Sequence, residues 1–224
     1  MEKKLAAEKK RAEREPLSRP RILEAALKLV DAEGLDALTM RRLAKDLSVE
    51  GASLYKHIPS KAALLFGMIE TMFVEMDPDY PADSSDWQGR LRAGMRAFRD
   101  LGLQHPRVFV LLTRPWQSNP KRVESELSCM LAAGLTQQQA AYGFRLLTSF
   151  VVGFVIWETS GIVRDPEELL DMQVESEVAR APDLYPNTIT LQPLMTGPNL
   201  SEAFEFGLTA AIAGIKAMVE GDGD

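Results

Sequence analysis

Thr39 to Lys61 reads TMRRLAKDLSVEGASLYKHIPSK. Two short helices separated by a tight turn account for this stretch. Thr39 is a good N-cap, and Met40, Leu43, Ala44 and Leu47 give the first helix a narrow apolar face. Ser48-Val49-Glu50-Gly51 supplies turn residues, and Ala52 to Ile58 forms the second helix before Pro59. Leu43, Leu47, Val49, Leu54 and Ile58 can pack the two together. This is a helix-turn-helix pattern, in which the first helix braces the second and the second enters the DNA major groove. Gly51, Ala52 and Ser53 at its tip are small enough for close backbone approach, while Tyr55, Lys56, His57 and Lys61 offer donors to phosphates.

Working outward, Ser18 and Pro20 start a helix whose apolar residues are Ile22, Leu23, Ala26, Leu27, Leu29 and Val30, and Gly34 stops it. Ser60 caps a further helix from Lys61 to about Met76. The spacing thus predicts an all-α chain: a charged tail over 1–17, a three-helix helix-turn-helix domain with its linker helix over 18–76, and a helical bundle over 77–224. In the bundle, Trp87, Leu91, Met95, Phe98 and Leu101 recur at helical spacing. Val123, Leu127, Met130 and Leu131 form the inward face of the helix opened by Asn119-Pro120. Long helices follow at about 137–159 and 201–219. Asp165-Pro166 starts another helix, residues 182–199 with their prolines read as irregular, and Thr188 to Leu191 reads as briefly extended.

Bulk composition excludes several classes. A single cysteine, Cys129, permits no internal disulfide and no metal cluster, so a reducing cytoplasm is expected. The apolar run Leu146–Trp157 is too short for a bilayer, which needs about 20 residues, so no membrane partner is expected. The net charge of −6 is unevenly spread, with 14 Lys/Arg against 11 Asp/Glu up to Glu70 and 12 against 21 beyond it. A positive head on an acidic body is compatible with binding phosphate locally. Acyl-transfer chemistry would need a nucleophile with a base, and His57 and His105, the two histidines, both have structural explanations. No phosphate-cradling glycine loop, zinc spacing or nucleotide fingerprint appears, so neither an enzyme nor a cofactor is expected.

The run from Ser18 to Leu65 resembles the DNA-binding domain of the tetracycline-repressor (TetR) family. The likeness is carried by Ala25 to Thr39, Leu54-Tyr55-x-His57 and Lys61-x-x-Leu64-Leu65. DWQGRLRAGMRAFR, LLTRPW and EAFEFGLTAAIAG resemble, more weakly, the second domain of the tetracycline repressor's own subgroup. By position the resemblance implies that Thr39, Arg41 and Arg42 meet the DNA backbone, that Glu50, Gly51, Ala52 and Ser53 face bases, and that Tyr55, Lys56, His57 and Lys61 hold phosphates. Glu50 either caps the turn or accepts from a cytosine amino group, and Arg41 points either to the duplex or to solvent.

The resemblance also implies an effector cavity. Phe98, Phe109, Leu112, Trp116, Met130, Leu147, Phe150, Val151, Phe154 and Glu158 are its expected lining, although each aromatic serves equally as plain core. Arg114, Gln117 and Arg145 are further polar candidates. The histidine with which the tetracycline repressor takes a metal-chelated drug is replaced by Val110 or Leu111, which implies a metal-free, more apolar effector. The helices at 137–159 and 201–219 are apolar on more than one side, as a homodimer interface would be. The expected function is repression of transcription from a palindromic operator, relieved by a small effector. The alternatives are an activator of the same fold, or a helical ligand-binding protein without DNA function.

Overall fold

A computed structural model describes residues 16–76, 78, 80, 81, 83, 85–113, 119–159, 182–196 and 199–221. Its order is α1 (Arg19–Glu33), a 3-10 turn, α2 (Met40–Asp46), α3 (Gly51–His57), α4 (Lys61–Val74), α5 (Trp87–Gln104), α6 (Pro106–Phe109) continued by a 3-10 turn (Val110–Thr113), α7 (Pro120–Ala132), α8 (Gln137–Glu158), a 3-10 turn, α9 (Pro186–Thr196) and α10 (Leu200–Gly221). No strand occurs among the described residues. The chain divides into two compact units, the first built from residues up to 76 together with 107–119, the second from 77–106 and 120 onward.

In the first unit the caps are the ones the sequence signals. Ser18 Oγ accepts from Arg21 N, Thr39 Oγ1 from Arg42 N at 3.0 Å, and Ser60 Oγ from Ala63 N at 3.1 Å. Each satisfies a helix-end donor that would otherwise lack a partner. Gly34, at φ 88°, turns the chain out of α1 while its N–H bonds Val30 O at 2.8 Å. α1 packs on α4 and α2, and α2 packs on α3. Ile22, Ala26, Val30, Leu38, Leu43, Leu54, Leu64 and Met68 are wholly buried there, and each of the Ile, Val, Leu and Met side chains so removed from water contributes roughly 1.5–3 kcal/mol. At Gly67 a methyl group would come within 2.6 Å of Leu23 Cδ2, so glycine lets α4 lie close to α1.

The second unit packs α5, α7, α8 and α10 against one another. Thr136 and Gln139 form a reciprocal capping box at the start of α8. The core contains Leu91, Met95, Phe98, Met130, Leu147, Val151, Val155, Phe204, Leu208 and Ile215. Two expectations are corrected here. Residues 186–196 form α9, neither irregular nor extended; Pro186 opens it, where a missing N–H costs nothing. On α7 the inward stripe is Arg122, Glu126 and Met130, while Leu131 is 44% exposed. The helix is rolled so that Arg122 and Glu126, one turn apart, face each other inside the core, with Arg122 Nε 2.8 Å from Glu126 Oε1. The helix expected from Asp165 lies outside the described residues.

Candidate DNA interface and effector site

The turn between α2 and α3 is set by Ser48, at φ 56°, with Val49 N bonded to Ala44 O at 3.0 Å. A left-handed serine costs about 1 kcal/mol, which the buried Leu47, Leu54 and Ile58 on either side hold in place. Glu50 is the N-cap residue of α3, but its carboxylate makes no capping bond; its carbonyl accepts from Ser53 N at 2.9 Å. Of the two openings left for Glu50, capping is therefore not the one adopted. No atom lies within 4 Å of a methyl placed on Gly51, so the helix tip is open.

Met40, Arg41, Ala44, Lys45, Val49, Gly51 and Tyr55 surround a groove of about 430 Å³. Ala52, Lys56, His57 and Lys61 are exposed, Tyr55 is 52% exposed, and Ser53 is half-buried. The neighbouring arginines of α2 behave differently. Arg41 borders the groove. Arg42 donates to both oxygens of Asp46 (3.1 and 2.9 Å) and to both oxygens of Glu33 (2.9 and 2.7 Å). Thr39 spends its hydroxyl on the cap.

In the second unit the expected effector residues fall into two groups. Phe98, Met130, Leu147 and Val151 are buried in the core shared by α5, α7 and α8. Phe150 and Phe154 instead stack with Phe204 of α10, each at 5.4 Å between centroids. Glu158 is held by Arg99 in a bidentate pair at 2.6 and 3.0 Å, and Arg99 lies 4.8 Å over the Phe204 ring. Those five side chains therefore tie α5, α8 and α10 together. Phe109 is buried and Leu112 half-buried in the first unit, whereas Trp116, Arg114 and Gln117 lie outside the described residues.

Sequence reasoning missed Arg122 and Glu126. The Arg122 guanidinium sits 3.9 Å over the Phe98 ring and 5.7 Å from that of Phe144, donates to Thr148 Oγ1 at 3.3 Å, and places Nε 2.8 Å from Glu126 Oε1. Beyond that ion pair, neither buried Glu126 oxygen has a hydrogen-bond partner among the described residues. Burial pushes the Glu126 carboxyl up to about 7, outweighing the opposing pull of Arg122. Burial likewise draws the Arg122 guanidinium down from its ordinary value, against the Glu126 charge. A small cavity bounded by Tyr80, Arg90, Leu91, Ser125, Glu126 and Cys129 adjoins the pair. It shares Arg90, Ser125 and Cys129 with a groove of about 530 Å³ that Trp87 also lines. The available signal was the spacing Arg122, Glu126, Met130: one stripe, four residues apart.

Residues 22–68 match the family described as bacterial regulatory proteins, tetR family, and residues 80–219 match the tetracyclin repressor-like C-terminal domain. The chain belongs to the TetR family. It is 29% identical to the tetracycline repressor protein class G of Vibrio anguillarum over 206 residues, covering 90% of this chain and 95% of that one. It is 30% identical to the transcriptional repressor DrrR1 of Streptomyces coeruleorubidus, covering 91% of this chain and 78% of the other. Among solved structures, the TetR family protein ActR of Streptomyces coelicolor in complex with actinorhodin superposes with a TM-score of 0.72 at 29% identity, over 90% of this chain and 96% of that one. TetR proteins are transcriptional regulators, not enzymes, and this chain is a DNA-binding repressor whose second domain is of the effector-binding type.

Proposed function

We propose that this TetR protein acts as a homodimer on a palindromic operator and leaves it when a small, planar, largely apolar effector enters the second unit. Dimerisation is supported by two exposed, largely apolar stripes. On α8 they are Tyr142, Leu146 and Trp157, each 47–63% exposed; on α10, Phe206, 79% exposed, lies among exposed Ala203, Ala210 and Gly214. α8 is long and apolar enough to cross a bilayer by length and composition alone, yet it packs on α5, α7 and α10. Its remaining apolar face calls for a second copy rather than lipid. A dimer then presents two α3 helices to half-sites about one helical turn apart, with Glu50, Gly51, Ala52 and Ser53 towards bases and Arg41, Tyr55, Lys56, His57 and Lys61 towards phosphates. Such a repressor works beside the chromosome, in the cytoplasm.

The effector reading rests on Arg122 and Glu126. A core that keeps Arg122 against two aromatic rings and, beyond their ion pair, leaves the Glu126 oxygens without a hydrogen bond among the described residues forgoes packing energy unless a polar ligand group uses it. Flat polycycles meet that chemistry, and ActR is seen with actinorhodin. Binding selection from random duplex DNA tests the DNA half. Wild type should enrich an inverted repeat and Tyr55→Ala/Lys61→Ala should not; enrichment of unpaired half-sites alone would refute the dimer. Release of that labelled operator by planar polycycles tests the other half. An effector equally potent on Arg122→Leu binds elsewhere.

A further inference from the structure

The C-terminal turn of α1 is gripped from two sides. From α2, Arg42 reaches across with all three guanidinium nitrogens engaged: Nη1 and Nη2 take the two oxygens of Glu33, while Nε holds Asp46. From the segment that follows α5, Arg107 Nη1 donates to two backbone carbonyls of the same turn, Asp31 O at 2.6 Å and Ala32 O at 2.7 Å. A cation bonded to carbonyls of the last helical turn is a C-terminal cap, here supplied from 75 residues away in sequence. Arg107 stands three positions beyond Gln104, where α5 ends.

We infer that Arg42 and Arg107 are positioning residues for DNA binding, which set the pose of α2 through the last turn of α1, and that Arg42 is not a phosphate ligand. A guanidinium already bidentate to one carboxylate and bonded to a second has three of its five N–H donors engaged and its charge balanced by both, so a phosphate would have to compete with two carboxylates. Its neighbour Arg41 borders the open groove instead.

The charge of Glu33 gives the two roles opposite signs. If Arg42 holds phosphate, Glu33 competes for it, and Glu33→Gln must tighten DNA binding. If Arg42 positions α2, Glu33→Gln must weaken it, although the change removes a negative charge from a DNA-binding unit. The probe is the duplex recovered by selection, with Kd measured from 50 to 200 mM salt, well below the unfolding midpoint of each variant. Glu33→Gln and Arg107→Gln are each expected to raise Kd about threefold to fivefold, as an exposed ion pair does at most. The slope of log Kd against log salt is expected to stay that of the parent. Arg41→Gln should instead reduce the slope by about one, as loss of a phosphate contact does. Tighter binding by Glu33→Gln, or a slope reduced in Arg42→Gln, would overturn the inference. So would a lowered unfolding midpoint with unchanged Kd, because that is a role in stability alone. A parent that binds no duplex would instead count against the DNA reading itself.

Discussion

At the residue scale, the arrangement with the sharpest consequence is a carboxyl held close to neutrality inside a core. Glu126 has an ordinary value of 4.5 and is raised to about 7 in the fold. Between those limits the folded protein keeps a proton that the unfolded chain has released. Its stabilising contribution is therefore complete below about pH 4.5 and is lost as pH rises through about 7. The shift corresponds to about 3 kcal/mol. Glu126→Gln carries a neutral amide at every pH. Urea unfolding of both proteins should show wild type losing about 2 kcal/mol relative to Glu126→Gln between pH 5 and pH 8. A wild type that instead gained on the variant would mean that attraction to Arg122 outweighs burial.

At the scale of elements, the cap residues and breakers wrote the first unit plainly. Ser18, Gly34, Thr39 and Ser60 sit at the helix ends observed, because each acts through its own turn of backbone and needs no tertiary knowledge. The roll of α7 was not legible. A rule that turns apolar residues inward picks Val123 and Leu127 and cannot foresee that Arg122 and Glu126 pair with each other beside Phe98. α9 was hidden by its prolines; Pro193 interrupts it without ending it. The stack of Phe150 and Phe154 on Phe204 depends on a contact between helices far apart in sequence, so the two rings looked like cavity lining. That stack needs Gly207, where a methyl group would lie 2.6 Å from the Phe150 ring. Gly207→Ala should cost about 1–3 kcal/mol by overpacking, lowering the midpoint by roughly 2–4 °C for each kcal/mol in thermal unfolding. No change in midpoint would mean that Phe150 has room to swing aside.

At the scale of the whole molecule, what remains is how a protomer with so much apolar surface stays in solution. Phe204, Leu208, Ile212 and Ile215 fill the inner side of α10, and Phe206, Ala210 and Gly214 are left facing outward. Inner residues hold the protomer together, and outer ones have nothing among the described residues to bury against. Leu146 and Phe206 belong to the outer set, at 47% and 79% exposed. An aspartate at either position costs a lone protomer little, since the side chain already meets water. In a four-helix interface it places a charge in apolar surroundings, which costs several kcal/mol. Phe206→Asp, alone and with Leu146→Asp, should therefore keep the helical circular dichroism of wild type, halve the mass seen by light scattering, and lose the inverted-repeat operator while keeping weak, salt-sensitive binding to any duplex. Retention of the dimer mass by the double variant would place the interface on another face.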